Sequence, residues 1–274
     1  MGSGRLMAHS QFLQAALDSA AAAADVIRGS YQRNLAVETK ADKSPVTAAD
    51  VQAEQAIRAI LQHRFPDHGF YGEETGSTGG DRDYVWLVDP IDGTKAFVRE
   101  YPMFSTQIAL MHRGELIVGV SSAPVFGELA WAERGCGAWL NGRRLSVSEV
   151  ATVDEAALSA GNLRTLASGS RWAAYGRLVA RVNRIRGYGD FLHYHLLAAG
   201  KIDAVVESDV NILDIAALVV IVREAGGRFT ALDGAPIGLT TTTVLATNGH
   251  LHGAVLDALG PQAGHDAQSP AEAR

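Results

Sequence analysis

Residues 84–95 read Tyr-Val-Trp-Leu-Val-Asp-Pro-Ile-Asp-Gly-Thr-Lys. The aromatic and β-branched run has the composition of a buried strand, and it leads straight into two aspartates three positions apart. Pro90 stiffens the turn, and Gly93 lets the backbone come close to a ligand. Residues 94–98 can open a helix whose first N–H groups have no partner within the helix and so face an anion. Two carboxylates beside an anion-binding helix end make little electrostatic sense unless cations sit between them, which is the layout of a metal-assisted phosphate site. The competing reading is a plain strand end, with Asp89 a turn residue and Asp92 a helix N-cap.

Around this segment the chain divides into two rhythms. In the first part, residues 10–28 predict a helix with Phe12, Leu13, Ala16, Leu17, Ala20, Ala24 and Ile27 on one stripe. Residues 47–64 predict a second helix, stopped by Pro66. Residues 105–111, 115–121 and 128–132 predict strands joined by turn signals, an antiparallel meander. In the second part strands and helices alternate, with strands at 157–159, 204–206, 228–232 and 244–247. Helices are expected at 172–182, 191–199, 212–225 and from 250 onward. That alternation argues for an α/β half. No linker composition marks the boundary, expected near 147–154, so residues 8–149 and 150–262 are expected to share one large interface. Residues 1–7 read as a tag scar and 263–274 as a disordered tail.

Two more segments carry acidic groups. Gly72-Glu73-Glu74 follows a short strand, and its bland reading is an exposed acidic turn. Asn211-Ile212-Leu213-Asp214 opens a long apolar helix ending in Glu224-Ala225-Gly226-Gly227, and Asp214 could simply complement the helix dipole. Thr47 and Asp50 have the spacing of a capping-box-like helix start. The net charge of −6 makes nonspecific binding to nucleic acid or an anionic membrane a poor expectation. The single cysteine, Cys136, excludes an intrachain disulfide and a Cys-based zinc site. A reducing cytoplasm fits that usage.

Asp89-Pro90-Ile91-Asp92-Gly93-Thr94, Gly72-Glu73-Glu74, Lys43-Ser44-Pro45-Val46-Thr47-Ala48-Ala49-Asp50 and the late Asp214 before Glu224-Ala225-Gly226-Gly227 together resemble the inositol monophosphatase family, in the family's order and over nearly the whole chain. The resemblance implies a layered αβαβα sugar-phosphatase-like fold, an N-terminal α+β half with an antiparallel sheet and a C-terminal α/β half. It also implies a homodimer and Mg²⁺-dependent hydrolysis of a small phosphate monoester. Carried over by motif, Glu73, Asp89, Asp92, Asp214 and the carbonyl of Ile91 would ligate two or three Mg²⁺. Gly93 and Thr94 would give N–H groups to the phosphate, and Thr94 and Asp50, with Glu73, would serve the attacking water. Leu213 stands where the family usually has Trp.

Four carboxylates carry roughly −4 at neutral pH. Three Mg²⁺ would bring the sum to roughly +2, matched to a phosphate dianion. The leaving group divides the family. Glu207, seven residues before Asp214, and Asp190, at a helix start, put two acids where the far wall of the pocket is expected. They favour a cationic leaving group, as in the histidinol-phosphatase branch, which residues 92–99 and 186–191 also resemble. Inositol monophosphate and 3′-phosphoadenosine 5′-phosphate are the alternatives. A non-catalytic metal- or phosphate-binding regulator is the reading from another class. For Asp190 the bland reading is an N-cap. His193 and His195 lie about 200° apart around a helix and are expected to be structural rather than joint ligands. Cys136 is expected to be inert.

Overall fold

The computed structural model describes residues 9–33, 37–39, 45–79 and 82–260. The expected scar and tail, and Lys43 and Ser44 of the segment before the second helix, lie outside the described residues. The elements run α1 Gln11–Ser30, β1 Val37–Thr39, β2 Pro45–Thr47, α2 Ala48–Arg64, β3 Gly69–Gly72, β4 Gly76–Thr78, β5 Tyr84–Asp92, α3 Thr94–Val98, β6 Ser105–His112, β7 Glu115–Ala123, β8 Glu128–Glu133, β9 Gly137–Leu140 and β10 Arg143–Arg144. They continue as β11 Ala157–Gly161, α4 Leu163–Ser168, α5 Trp172–Val179, β12 Arg184–Arg186, α6 Asp190–Ala198, β13 Ala204–Ser208, α7 Ile212–Glu224, β14 Arg228–Thr230, β15 Thr243–Thr247 and α8 His252–Leu259.

β3 to β10 form an eight-stranded sheet in the order β10-β9-β8-β7-β6-β5-β3-β4. Its strands pair antiparallel except β3 and β5, which run parallel; the expected meander is β6-β7-β8, antiparallel throughout. The second sheet has the order β12-β11-β13-β15-β14. It is mixed: β11 runs parallel to β12 and β13, while β15 is antiparallel to β13 and β14.

Period-two alternation explains how the first sheet buries both faces. On β5, Trp86 and Val88 pack with Leu13, Ala16, Ala20 and Ile27 of α1 and Ala53, Ile57 and Leu61 of α2. Leu87, between them, points the other way and packs with α6 and α7. Val205, Val244 and Ala246 close that same core from the second sheet. Leu158, Ala160, Val206 and Leu245 face outward onto Leu166 of α4, Tyr175 and Leu178 of α5, and Val255 and Leu259 of α8. The result is five layers, helix–sheet–helix–sheet–helix. α7 is apolar all round, with every residue from Ile215 to Val222 buried, because it lies between two sheets. A Cβ on Gly119 of β7 would stand 2.3 Å from the Ala217 carbonyl oxygen, so glycine sets how closely α7 approaches the sheet. α6 and α7 belong in sequence to the second half, yet they pack on the first sheet. Among the described residues no helix is long and apolar enough to cross a membrane.

Most expected elements form within a residue or two of their expected ends. The largest difference is β5, which continues past residue 88 to Asp92 through an irregularity in its pairing with β6 between Asp89 and Asp92. The acidic motif therefore sits on the strand itself.

Candidate active site

Three local structures deliver the acidic side chains of the centre: the β5 irregularity, the start of α7 and the turn after β3. The β5 irregularity turns Asp89 and Asp92 inward, and Asp89 is 2% exposed. Its Oδ1 accepts the Ile91 N–H at 2.9 Å. Gly93 caps α3 at φ 90°, and a Cβ there would lie 2.7 Å from the Met103 carbonyl oxygen. Both the left-handed backbone and the space therefore require glycine. At the start of α7, Asn211 and Asp214 form a capping box. The Asn211 N–H and side-chain amide donate to Asp214 at 2.9 and 2.6 Å, while Asn211 Oδ1 accepts the Leu213 N–H at 2.7 Å. Asp214 thus lies in the first turn of α7, where the helix-dipole reading puts it, and its part in the capping box is an addition that the sequence reading did not make. Leu213, where the family usually has Trp, is buried in the core between the sheets.

Asp89, Asp92 and Asp214 can each present an oxygen, the three lying within 4.8 Å of one another. Charges at that spacing repel by about 3–4 kcal/mol per pair at an effective dielectric of about 20. Burial first, then the charge of Glu73 and of the neighbouring aspartates, holds Asp89 well above the ordinary carboxylate range. Burial, then Asp214 and Asp190, does the same for Asp92. Asp214 is pushed up to about 7 chiefly by burial, against the Asn211 hydrogen bonds that lower it. An all-oxygen set of mutually repelling carboxylates fits a hard divalent cation such as Mg²⁺ and does not fit the N/S preference of zinc. Glu73, in the turn after β3, is tied by its N–H to the Val88 carbonyl at 3.1 Å, and its carboxylate acts electrostatically on Asp50, Asp89, Asp92 and Asp214.

The second group is Thr47, Asp50 and Thr94. Asp50 is fully buried. Its Oδ2 accepts the Thr47 N–H at 2.8 Å and the Thr47 hydroxyl at 2.6 Å. The Thr94 hydroxyl lies 3.2 Å from Asp50 Oδ1 and 3.0 Å from the Ile91 carbonyl oxygen. One hydroxyl hydrogen serves only one of these acceptors at a time. If the Ile91 carbonyl were engaged elsewhere, the Thr94 proton would go to Asp50, leaving the hydroxyl lone pairs to accept from a water. The expected capping box and the Asp50–Thr94 contact coexist.

Asp190 and Glu207 line one pocket with Asp92 and Asp214, together with Asn162, Tyr194 and Val210. The bland reading of Asp190 is corrected: the N-cap of α6 is Gly189, and no side chain caps it. Asp190 is the first helical residue, in a left-handed conformation at φ 46°. Burial, then the charge of Glu207, raises it to about 6. Glu207 is 5% exposed. Its Oε2 accepts from the Tyr194 hydroxyl at 2.6 Å and pairs with His193 Nε2 at 3.1 Å. A Cβ on Gly161 would stand 2.0 Å from Glu207 Oε1, so glycine leaves room for this carboxylate. His193 and His195 do have separate partners, but His193 supports Glu207, a role the helical spacing alone did not suggest. His195 pairs with Glu128 at 2.7 Å and Ser121 at 2.9 Å. Burial and the charges of Glu133 and Glu224 push the Cys136 thiol up, which fits its expected inertness.

The raised carboxylates make a stability prediction. An acid whose folded value lies above its unfolded value near 3.8 favours folding below that value, and the advantage is lost as pH rises through the folded value. For Asp190 at about 6 and Asp214 at about 7, the window is roughly pH 4 to 7. In chelator, the unfolding midpoint should fall by several degrees between pH 5 and 7.5, and Mg²⁺ at pH 7.5 should restore it. A midpoint in chelator that does not change with pH would count against this electrostatic account.

The chain matches the inositol monophosphatase family over residues 8–262. It is 43% identical to the histidinol-phosphatase of Mycobacterium tuberculosis over 82% of this chain and 88% of that one. It is 35% identical to the inositol-1-monophosphatase of Caulobacter vibrioides over 82% of this chain and 91% of that one. The solved structure of an inositol monophosphatase from Anabaena (Nostoc) superimposes with a TM-score of 0.80 at 32% identity, covering 91% of this chain and 95% of that one.

Proposed function

The chain belongs to the inositol monophosphatase family, a family of metal-dependent phosphatases acting on small phosphorylated substrates, and from that premise we propose that its reaction is the Mg²⁺-dependent hydrolysis of L-histidinol phosphate to L-histidinol and phosphate. One observation carries the substrate assignment: Asp190 and Glu207 line the same pocket as Asp92 and Asp214. Histidinol carries an amine and an imidazole, and two carboxylates beside the reacting phosphate suit a cationic leaving group. Among the described residues lining the pocket none is Lys or Arg, which disfavours an ester with a second anion such as 3′-phosphoadenosine 5′-phosphate. A polyol can also donate hydroxyls to the same carboxylates, so inositol monophosphate is the second reading, supported by the Caulobacter relative.

In this reading Glu73, Asp89, Asp92, Asp214 and the Ile91 carbonyl hold two or three Mg²⁺ ions. Bound there, the metal supplies Lewis-acid stabilisation of phosphoryl charge and lowers the pKa of water. The residues of the chain do the rest. Gly93 and Thr94 present N–H groups at the start of α3 to the phosphate oxygens. Asp50 holds the Thr94 hydroxyl, which accepts from the attacking water and aligns it. Asp190 and the free Glu207 oxygen hold the leaving group, while His193 and Tyr194 keep the other Glu207 oxygen in place. The catalytic unit is proposed to be a homodimer in the cytoplasm, each protomer organised as residues 8–149 carrying most of the metal ligands and 150–262 carrying Asp214 and the specificity residues.

The test is kinetic. A charged hydrogen bond to the leaving group is worth about 1.5–3 kcal/mol, roughly 10–150-fold in kcat/KM. E207Q should lose about that factor toward histidinol phosphate and far less toward p-nitrophenyl phosphate, whose leaving group has no cation. Equal losses on both esters would make Glu207 a support of the fold. A wild type that prefers inositol phosphate would transfer the assignment to the second reading, and phosphate release that is indifferent to Mg²⁺ would remove the metal-dependent mechanism.

A further inference from the structure

Glu54 has no place in the chemistry above, yet it is a fully buried carboxylate on the helix that carries Asp50. It lies one turn after Asp50, so α2 presents two acids on one face. Asp50 reaches Thr94, and Glu54 reaches the turn between β3 and β4. Glu54 Oε2 accepts the Glu74 N–H at 2.8 Å, and Oε1 accepts the Thr75 N–H at 2.9 Å. Both oxygens are thus used on consecutive backbone donors of the three-residue turn that begins at Glu73. Gly72 leaves the space: a Cβ there would stand 2.5 Å from Glu54 Oε2.

We propose that Glu54 is a positioning residue for metal binding, fixing through these two N–H groups the turn that aims the Glu73 carboxylate into the acidic centre. The inference rests on Glu73 being a ligand. A neutral side chain could close a hairpin turn. A charged one held in a pair of N–H groups makes shorter and stronger bonds, which is what a ligand-bearing turn beside several other negative charges requires to keep its geometry. α2 then couples the water-aligning group and the metal-aiming group as one rigid element.

The experiment is calorimetric titration of Mg²⁺ into substrate-free protein, with the Mg²⁺ dependence of p-nitrophenyl phosphate hydrolysis and the unfolding midpoint in chelator measured beside it. Supports of a metal ligand are commonly worth 10–100-fold in affinity or activity. E54Q places an amide N–H against a backbone N–H, and G72A displaces the Glu54 carboxylate without changing charge. Both should weaken Mg²⁺ by about 10–100-fold, with kcat recovering at high Mg²⁺. E73Q should also weaken it, and E54Q/E73Q should bind no worse than E73Q, because Glu54 acts through Glu73. If E54Q fails to fold, G72A carries the test. Wild-type Mg²⁺ affinity in E54Q or G72A while E73Q is impaired would overturn the proposal alone, as would losses that add in the double variant. Wild-type affinity in E73Q would overturn the reading of Glu73 as a ligand, and the proposal with it.

Discussion

Asp92→Asn should reduce kcat by at least about 10²-fold, beyond what loss of an outer support costs, and should at the same time raise the unfolding midpoint of the chelated protein. The two effects have one cause. Asp92 lies in a set of three carboxylates whose oxygens come within 4.8 Å, with its pKa raised by burial and by Asp214 and Asp190. Without a cation that charge is a cost to folding, and the near-isosteric amide removes it. With a cation the same charge is what binds it. The midpoint in chelator should therefore rise by several degrees at pH 7.5, and the rise should shrink toward pH 4, where the wild-type carboxylates hold protons. The stabilisation conferred by Mg²⁺ should be smaller in the variant. Scanning calorimetry with and without Mg²⁺, beside steady-state kinetics, checks all three. Near-normal turnover at modest Mg²⁺, or a chelated midpoint below wild type, would sink the assignment of Asp92.

Thr94→Ala should cost kcat about 10²-fold or more, the order of a positioned proton-transfer group, with a smaller change in KM. The hydroxyl lies between the Ile91 carbonyl oxygen and Asp50, and the variant removes it while leaving the backbone N–H groups of Gly93 and Thr94. Phosphate should still bind, and the water should lose its alignment. Asp50→Asn should give a similar loss, because the Thr94 hydroxyl would no longer face a carboxylate, and the double variant should fall little below either single one. Product inhibition by inorganic phosphate separates the roles. An inhibition constant near wild type accompanies a water-aligning Thr94, whereas a rise in KM and in that constant without loss of kcat would reduce it to a substrate-holding residue.

Residues acting locally were legible in the sequence. The capping box at Thr47 and Asp50, the apolar stripe of α1 and the strand into Asp89 and Asp92 follow from interactions within about four positions, whereas the left-handed backbone of Gly93 and its closeness to Met103 came only from the fold. The order of the acidic segments was enough to suggest the family. The five layers were not in the local pattern, because α6 and α7 are chemically suited to cover either sheet. The close approach of Gly119 to Ala217 and the two-sided burial of α7 place that helix between the sheets, and α6 joins it there through His195 on Ser121 and Glu128 of the first sheet and His193 and Tyr194 on Glu207 of the second.

Glu54 escaped sequence reasoning because an acid one turn after another on a helix ordinarily faces water. Its partners are two main-chain N–H groups 20 and 21 residues away, and a backbone donor has no residue type to read. His193 and Tyr194 are side chains of readable type, but they meet Glu207 across 14 and 13 residues, a separation that only the packing of α6 on β13 closes. Residue order alone dictates which side chains can bear charge and how each local segment turns. The packing of the layers sets which of those charges are brought within a few ångströms of one another. That choice gives Asp89, Asp92 and Asp214 their raised proton affinity, because repulsion and desolvation depend on distance and burial, and those exist only once the layers have packed.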